Sequence, residues 1–261
     1  YLNPAGIALG PAYIVESTYM LDDKYNMHLV GASVVDSVTS KLGLGLGYYF
    51  RWVGKGWESS EVQIHNIVMG AAFPIIPQLA IGANFHYVRA EIDEDDPAPD
   101  ASPNPYGRDL NDFTLDAALA FRMKSFGISV IGYNLTNLKS PIMPLMLGLS
   151  AFVQIAMVQV GFDVLLDWYT AVKLRKNGID MHGKSMAVKY MAGAEVLLGS
   201  HFPVRAGYSF GDSTGSHAVH AGLGYVAKTG AIETGFSYEV NEGWDKRNDF
   251  RFVISLKYFA F

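Results

Sequence analysis

Hydrophobic and polar residues alternate with a period of two along most of the chain. Near the C-terminal end, Ile232, Phe236 and Tyr238 stand at even positions, whereas Glu233 and Glu239 stand at odd positions. Successive side chains of a β-strand point to opposite faces, so this period predicts half-apolar strands. We predict strands at 12–20, 26–36, 42–53, 62–74, 79–91, 112–123, 126–136, 144–154, 156–168, 186–198, 202–211, 216–227, 231–241 and 249–261.

One stretch admits a different interpretation. Residues 144–166 are apolar enough, and numerous enough, to cross a bilayer as a helix. Gln154, Gln159 and Asp163 interrupt this stretch, and its Val, Phe and Gly content favours strands. We therefore predict two strands, although their join near Ala156 lacks a typical turn residue.

The types of residue on the two strand faces distinguish a membrane barrel from a soluble sandwich. One face is continuously apolar and rich in aromatic residues near the strand ends, which is typical of an aromatic girdle. The other is small and polar, with many glycines, whereas a soluble sandwich would carry mostly Lys and Glu on its surface. An open sheet edge in lipid would leave backbone groups without partners. The pattern therefore predicts an all-β, transmembrane antiparallel barrel of about 14 strands, with lipid outside and a polar lumen inside.

The connections divide into two groups. Long ones are predicted at 53–60, 91–111, 167–185 and 241–248, and short ones at 74–78, 123–126, 199–202 and 228–230. Long loops at one end, short turns at the other and an even strand count are typical of bacterial outer-membrane barrels, whose termini are periplasmic. We expect the outer membrane of a Gram-negative bacterium, with its lipid and lipopolysaccharide as surroundings.

Composition narrows the function classes. Only 17% of the residues are charged, against about 25% in soluble domains, and the net charge of −5 disfavours a nucleic-acid partner. The absence of Cys excludes disulfides and thiolate metal sites. The chain opens at Tyr1 without the features of a signal peptide, so we interpret it as a mature chain.

A short motif near the start carries a family resemblance. Asn3, Pro4, Ala5 and Gly6, followed by Ile-Ala, are similar to the opening of the FadL-type barrel superfamily. Residues 132–137, Gly-Tyr-Asn-Leu-Thr-Asn, look like a turn found in PorV-like members of that superfamily. The resemblance implies a barrel of about 14 strands that passes hydrophobic small molecules, or a PorV-like accessory barrel that docks a protein partner.

The resemblance also implies a role for the N-terminus. We expect residues 1–11 to form a periplasmic plug segment and residues 12–261 to form the barrel, with Asn3 and Pro4 folding inward to close the periplasmic end. FadL-type transporters carry a longer N-terminal hatch, so any plug here is expected to be minimal. A short plug favours the accessory role over the transport role.

Polar residues on the inward face are the candidate lumen positions. They are Arg51, Asn84, His86, Asp116, Arg122, Asp163, Lys189, Glu195, Arg205, His220, Glu233 and Glu239. They either line a solute path or form paired networks that cross-link the inside of a filled barrel, since buried charges are tolerated when paired or hydrated. The pairing interpretation is the favoured one.

Other chemistry-bearing features have simpler explanations. The acidic run at 93–96 lacks the spacing of a calcium loop, so we interpret it as a solvated loop. His217 and His220 are three apart and lie on opposite faces of a strand, so they cannot share a metal. No metal site, cofactor or catalytic motif is expected, and we predict that the protein is not an enzyme.

Aromatic residues mark the membrane boundaries and the chain end. Trp52, Trp57, Trp168 and Trp244 are predicted near the outer rim, where indole prefers the headgroup region or where a partner protein could bind. Tyr258, Phe259 and Phe261 end the last strand and are similar to the terminal signal that the barrel-assembly machinery recognises.

Three functions remain open from the sequence. The first is a FadL-like channel with an apolar pocket inside the wall and release through a kink or lateral opening. The second is the PorV-like accessory barrel of a secretion, motility or envelope complex. The third is a general diffusion porin.

Overall fold

The computed structural model is a closed barrel of fourteen antiparallel strands in which each strand pairs with its sequence neighbours and β1 pairs with β14. It describes residues 3–10, 12–23, 26–54, 60–94, 109–136, 138, 142–168, 186–212, 215–241 and 248–260. The strands are β1 Tyr13–Asp22, β2 Met27–Asp36, β3 Gly43–Val53, β4 Ser60–Ile76, β5 Leu79–Glu94, β6 Leu110–Arg122, β7 Phe126–Tyr133, β8 Met146–Ile155, β9 Val158–Asp167, β10 Ala187–Leu198, β11 Phe202–Gly211, β12 Ser216–Ala227, β13 Gly230–Asn241 and β14 Asp249–Ala260. The predicted fold class and the predicted count of about fourteen strands are confirmed.

Closure depends on the pairing of the first and last strands. The register between β1 and β14 runs without interruption from Tyr13 opposite Ala260 to Asp22 opposite Arg251. With β2 on its other side, β1 has both of its backbone edges paired along its length. A sheet without edges satisfies its backbone hydrogen bonds internally, which a lipid environment requires.

The outward face of the barrel is apolar. Val30, Ile128, Val219 and Leu223 are between 55% and 58% exposed, although a soluble protein would bury residues of this type together. The inward face carries polar and charged residues such as Asp116 and Glu233, together with apolar clusters, one of them around Val62 and Val88. No helix of the described residues is long and apolar enough to span a bilayer.

The apolar stretch at 144–166 forms β8 and β9 and the turn between them. Ala156 adopts a left-handed backbone conformation with φ of 53°. This conformation suits the tight turns that join neighbouring strands, although Ala rarely adopts it. The prediction of two strands is therefore confirmed, and the turn was hard to find because its first residue is neither Gly nor Asn.

The connections follow the predicted alternation. Short connections, such as 77–78, 123–125 and 156–157, lie at one end of the barrel, which we call the turn end. The strand ends that flank the longer connections, Glu94 with Leu110 and Asp167 with Ala187, lie at the opposite end, which we call the loop end. Because β1 begins and β14 finishes at the turn end, both ends of the barrel sheet lie there.

The wall is interrupted between β6 and β7 at the loop end. The ladder between β5 and β6 has twelve residue pairs, whereas the ladder between β6 and β7 has six, from Ala117 to Arg122 of β6. Beyond it, irregular bonds connect the chain to β6: Leu135 N donates to Leu115 O over 2.8 Å, and Thr136 Oγ1 donates to Thr114 Oγ1 over 2.7 Å. This part of the wall has fewer backbone hydrogen bonds than its neighbours.

A short 3₁₀ helix, Pro4–Leu9, precedes the barrel. The side chain of Asn3 caps it by accepting a hydrogen bond from Ala5 N over 3.0 Å, and Pro4 occupies the first turn, where its missing N–H is not needed. Pro4 and Ala5 are buried, and the helix packs on β3, β4, β5 and β6. The helix thus lies against the inner wall on one side of the barrel.

Candidate functional site

The interior of the barrel holds two cavities on opposite sides. The larger, about 750 Å³ in volume, is lined by inward residues of β1 and of β9 to β14. The smaller, about 250 Å³, is lined by β2 to β6, by the 3₁₀ helix and by the β7–β8 connection. We call them the polar cavity and the apolar cavity because of the side chains that line them.

The apolar cavity has aliphatic and aromatic walls with a few polar groups. Its inward-facing apolar side chains are Ile7, Leu29, Val35, Tyr49, Ile64, Val68, Ile142 and Met143. Its polar lining consists of Ser33, Arg51, Asn66, Asn84, His86 and Asp116. An apolar enclosure with a few placed polar groups is the usual composition of a small-molecule site.

The 3₁₀ helix forms the floor of this cavity, on the side of the turn end. The side chain of Ile7 packs on the wall where three inward residues are glycine. Cβ atoms added to Gly43, Gly45 and Gly70 would lie 2.7 to 3.5 Å from this side chain. At Gly82 the approach is closer, since a Cβ there would lie 2.4 Å from the backbone nitrogen of Ala5. These glycines allow the helix to rest directly on the sheet.

The β7–β8 connection forms the roof, on the side of the loop end. Ile142 and Met143 are buried in a cluster with Val53, Val62 and Val88 from strands β3, β4 and β5. Each of these side chains is less than 9% exposed. The end of the connection that carries Ile142 and Met143 therefore lies inside the barrel.

A buried polar cluster holds this roof in place. Asp116 accepts hydrogen bonds from His86 Nε2 over 2.8 Å and from Asn134 N over 2.9 Å. The amide of Asn134 donates to Pro144 O over 2.8 Å, which ties the far side of the connection to the same point. Asn134 has a left-handed φ of 54°, a conformation that Asn tolerates better than most residues. The cluster joins β5, β6 and the roof.

Arg51 provides an unused donor at the apolar cavity. Its Nε is buried and has no hydrogen-bond partner among the residues that the structure describes. Arg51 also lines the cavity, so its guanidinium can donate a hydrogen bond to an acceptor bound there. The cavity therefore combines an apolar enclosure with one available hydrogen-bond donor.

The polar cavity is crossed by a chain of ion pairs on neighbouring strands. Arg205 donates to Glu195 over 2.5 Å and to Glu233 over 2.7 Å. Glu233 also pairs with Lys257, whose Nζ lies 3.8 Å from Glu16. These five residues connect β10, β11, β13, β14 and β1 through their side chains. Each is partly buried, and each pair compensates the charge of its partner.

A second ionic group lies nearer the loop end. Arg251 donates to Asp22 over 2.7 Å, pairs with Asp249, and lies 3.6 Å from Glu239. On the neighbouring strands β12 and β11, His220 Nε2 lies 3.0 Å from Ser209 Oγ. The carboxylates of Asp22, Glu239 and Asp249 thus surround the guanidinium of Arg251.

The structure distributes the twelve candidate lumen residues between the two cavities. Arg51, Asn84, His86 and Asp116 line the apolar cavity. Asp163, Glu195, Arg205, His220 and Glu233 line the polar cavity. Three line neither: Glu239 contacts Arg251, Arg122 lies 5.8 Å from the ring of Phe152, and Lys189 occupies β10. Their part in a solute path stays a prediction.

The structure describes some of the remaining candidate residues and leaves others outside the described ranges. His217 faces outward beside Tyr208, while His220 faces the lumen, as the strand period requires. Residues 95–96 of the acidic run, with Trp57, Trp244 and Phe261, lie outside the described residues. Among the residues that are described, no group of three His, Asp or Glu side chains could hold a metal ion.

Several outward aromatic residues lie near strand ends. Trp52 stacks on His28 with centroids 5.3 Å apart and donates to Glu61 over 2.6 Å. Trp168 is 40% exposed at the end of β9, and Tyr258 is 57% exposed near the end of β14. Phe259 is less exposed and has the opposite parity in the strand. These positions suit the headgroup level of a bilayer.

The sequence did not predict the roof of the apolar cavity or the part of the wall on which its floor, the 3₁₀ helix, packs. Ile142 and Met143 stand in a connection, where an apolar pair carries no periodic signal. Gly82 is one of 27 glycines, and only the packed helix distinguishes it from the others. Asn134 was part of the motif at 132–137, but its role in anchoring the roof depends on partners far away in sequence.

No model of a known protein family matches the chain, and a comparison with curated proteins gives no match. Solved structures do match. The CymD monoaromatic hydrocarbon channel has a TM-score of 0.69 at 12% identity, with 99% of this chain and 91% of that chain covered. A Pseudomonas aeruginosa FadL homologue has a TM-score of 0.68 at 10% identity, covering 99% and 92%. The Ralstonia pickettii toluene transporter TbuX has a TM-score of 0.68 at 12% identity, also covering 99% and 92%.

These neighbours are described as channels and transporters and not as enzymes, in agreement with the prediction from the sequence. None of the three is a PorV-like barrel, so they give no support to the accessory alternative. The similarity covers almost the whole chain at low identity, and it confirms the predicted resemblance at the level of the fold. The chain has the fold of the FadL-type outer-membrane hydrocarbon channels.

Proposed function

We propose that this protein is an outer-membrane channel for small hydrophobic molecules, which bind in the apolar cavity during passage. The observation that carries the proposal is the enclosed space of about 250 Å³ between the 3₁₀ helix and the β7–β8 connection. Apolar surface removed from water contributes about 25 cal/mol per Å², so such a space binds a hydrocarbon without many polar contacts. The names of the structural neighbours, which include hydrocarbon channels, support the same class of solute.

The size of the cavity limits the ligand. A dry apolar cavity of roughly 150 Å³ is sufficient for benzene, and drug-sized ligands occupy pockets of about 300–1,000 Å³. At about 250 Å³, the apolar cavity suits a compound with one aromatic ring or a short alkyl chain. Arg51 at its wall adds a preference for ligands that carry a hydrogen-bond acceptor.

The interrupted ladder supplies a route from this cavity to the membrane. Asp116 lines the apolar cavity, and the same residue binds Asn134 at the point where the β6–β7 ladder ends. Just outside, Phe113, Leu115 and Leu135 are exposed to lipid. Displacing residues 134–136 breaks few backbone hydrogen bonds, so a hydrophobic molecule leaves sideways between β6 and β7 more easily than elsewhere.

The 3₁₀ helix keeps the turn end closed beneath the cavity. Asn3 caps the helix, and Pro4 and Ala5 are buried against the wall, so the helix is held as a fixed floor. A solute that enters the apolar cavity is thus directed to the wall rather than straight through the lumen. In this proposal the turn end faces the periplasm and lipid surrounds the outward face.

An engineered disulfide tests the lateral route directly, because the chain contains no Cys. Thr114 Oγ1 and Thr136 Oγ1 are 2.7 Å apart, so Cys at both positions is close enough for a disulfide between β6 and the start of the β7–β8 connection. In cells that depend on this protein for toluene entry, the oxidised variant should take up toluene more slowly, and reduction should restore the rate.

A second disulfide is the matched control. Ser129 and Ser150 face each other across β7 and β8, where the ladder is already continuous. Cross-linking them should leave toluene uptake unchanged. If both disulfides slow uptake equally, or if neither does, the lateral route is wrong.

A further inference from the structure

The polar cavity extends through more than half of the thickness of the apolar band of a membrane. Along β14 its lining runs from Arg251 to Lys257, which is about 20 Å at roughly 3.3 Å per residue. With a strand tilt of about 40°, this length covers more than half of the apolar band of about 25 Å. Its volume of about 750 Å³ accommodates on the order of tens of water molecules at about 30 Å³ each.

Glycines keep this side of the lumen wide. Five inward positions that line the cavity are glycine: Gly161, Gly193, Gly207, Gly222 and Gly235. They lie on five successive strands, β9 to β13, and none of them places a side chain in the lumen. At Gly161 a Cβ would meet nothing closer than 3.7 Å, so the space in front of it is open. The 3₁₀ helix packs on β3 to β6 and leaves this side unfilled.

The cations of the cavity lining are each shared between carboxylates. Arg205 binds Glu195 and Glu233, and Lys257 lies between Glu233 and Glu16. Arg251 has three carboxylates around it, as described above. A guanidinium or ammonium that is already surrounded by two or more carboxylates attracts a passing anion weakly.

Carboxylates outnumber cations along this wall. Seven line the cavity or contact one of its cations: Glu16, Asp22, Asp163, Glu195, Glu233, Glu239 and Asp249. Three cations line it: Arg205, Arg251 and Lys257. Adding Lys189 from the same wall still leaves the carboxylates in excess. Asp163 faces the cavity without a hydrogen-bond or ion-pair partner among the described residues.

From these features we infer that the polar cavity is a water-filled pathway that conducts small hydrated cations in preference to anions. It runs beside the apolar cavity and is separate from it, since the two share no lining residue. Rings of acidic side chains select cations in other pores through the same electrostatic effect. The barrel would then have two activities, one on each side of its lumen.

Planar-bilayer recordings of the purified full chain test this inference. In asymmetric KCl solutions, the reversal potential should have the sign of K⁺ selectivity. Asp163→Lys should move the reversal potential toward that of Cl⁻. Asp112→Lys, which makes the same charge change at an exposed position of β6 outside the cavity, should not.

A steric variant tests the location of the pathway. Gly161→Trp places an indole in the polar cavity and should lower the single-channel conductance. Val160→Trp places the same side chain on the lipid-facing side of the same strand and should leave conductance unchanged. Correct folding of each variant is checked by its heat-modifiable migration in gels.

Three results would overturn the inference: no conductance above that of the bare bilayer, a conductance without cation preference, or a conductance that ignores both Asp163→Lys and Gly161→Trp. Toluene uptake by Gly161→Trp distinguishes this inference from the proposed function. It should remain at the level of the unmodified protein, because the apolar cavity is unchanged.

Discussion

A Cβ atom on Gly82 would lie 2.4 Å from the backbone nitrogen of Ala5, so the N-terminal 3₁₀ helix and the barrel wall are in direct backbone contact. Real Cβ atoms do not approach a backbone this closely, and neither partner has a flexible side chain that could move away. The helix can therefore pack this closely on the wall because Gly82 has no side chain.

Gly82→Ala should displace the helix and destabilise the barrel. Overpacking of a well-packed site costs about 1–3 kcal/mol, so the free energy of unfolding in detergent micelles should fall by that amount. Gly161→Ala is the control, since its Cβ would have no neighbour closer than 3.7 Å. Equal stability of the two variants would show that the helix does not rest on Gly82.

Asp116→Ala should loosen the roof of the apolar cavity. It leaves His86 Nε2 and Asn134 N buried without their acceptor, at a cost of about 1–3 kcal/mol for each unsatisfied group. In a Met143→Cys background, a water-soluble maleimide should then label the cysteine faster. Asp112→Ala, at an exposed site of the same strand, should leave the labelling rate unchanged. A rate that Asp116→Ala does not alter would refute the anchoring role of the cluster.

Arg205→Met should destabilise the barrel, because it leaves Glu195 and Glu233 without their shared cation. Breaking a buried pair costs about 3–5 kcal/mol. The Arg205 side chain is 40% exposed, so solvent screening reduces the expected loss to about 1–2 kcal/mol. Arg89→Met, which removes an exposed pair with Glu91, should cost much less. The thermal unfolding midpoints of the two variants check this ranking, and the reverse order would contradict it.

Arg51→Met should change ligand preference rather than stability. Arg51 lines the apolar cavity, so its guanidinium can donate a hydrogen bond to an acceptor on the ligand. A hydrogen bond to a charged group contributes about 1.5–3 kcal/mol, so the affinity for benzyl alcohol should fall by about tenfold or more. The affinity for toluene, which has no acceptor, should change little. Calorimetric titration with both compounds makes the comparison, and a parallel loss of both would argue against a polar contact.

Much of the fold follows from local pattern. Strand alternation such as that of Ile232, Phe236 and Tyr238 depends only on the period of the backbone, and together with the lengths of the connections it placed all fourteen strands within a few residues. The parity of each strand also placed residues such as Glu233 on the lumen side. These features are readable because each strand meets lipid on one face and water or polar groups on the other.

The site is less readable from sequence, because it depends on contacts between distant parts of the chain. The early end of β7 results from the bonds of Asn134 to Asp116 and Pro144, which no periodicity predicts. The predicted strand at 126–136 was therefore three residues too long at that end. Likewise, Ile142 and Met143 become lining residues only because the connection that carries them turns inward.

Binding of a hydrocarbon in the apolar cavity is the claim on which the proposed route depends, and a crystal of the protein soaked with bromobenzene measures it most directly. The proposed function predicts an anomalous bromine peak between Ile64, Val68 and Met143, inside the barrel and above the 3₁₀ helix. Bromine peaks confined to the polar cavity or to the detergent around the barrel would contradict it.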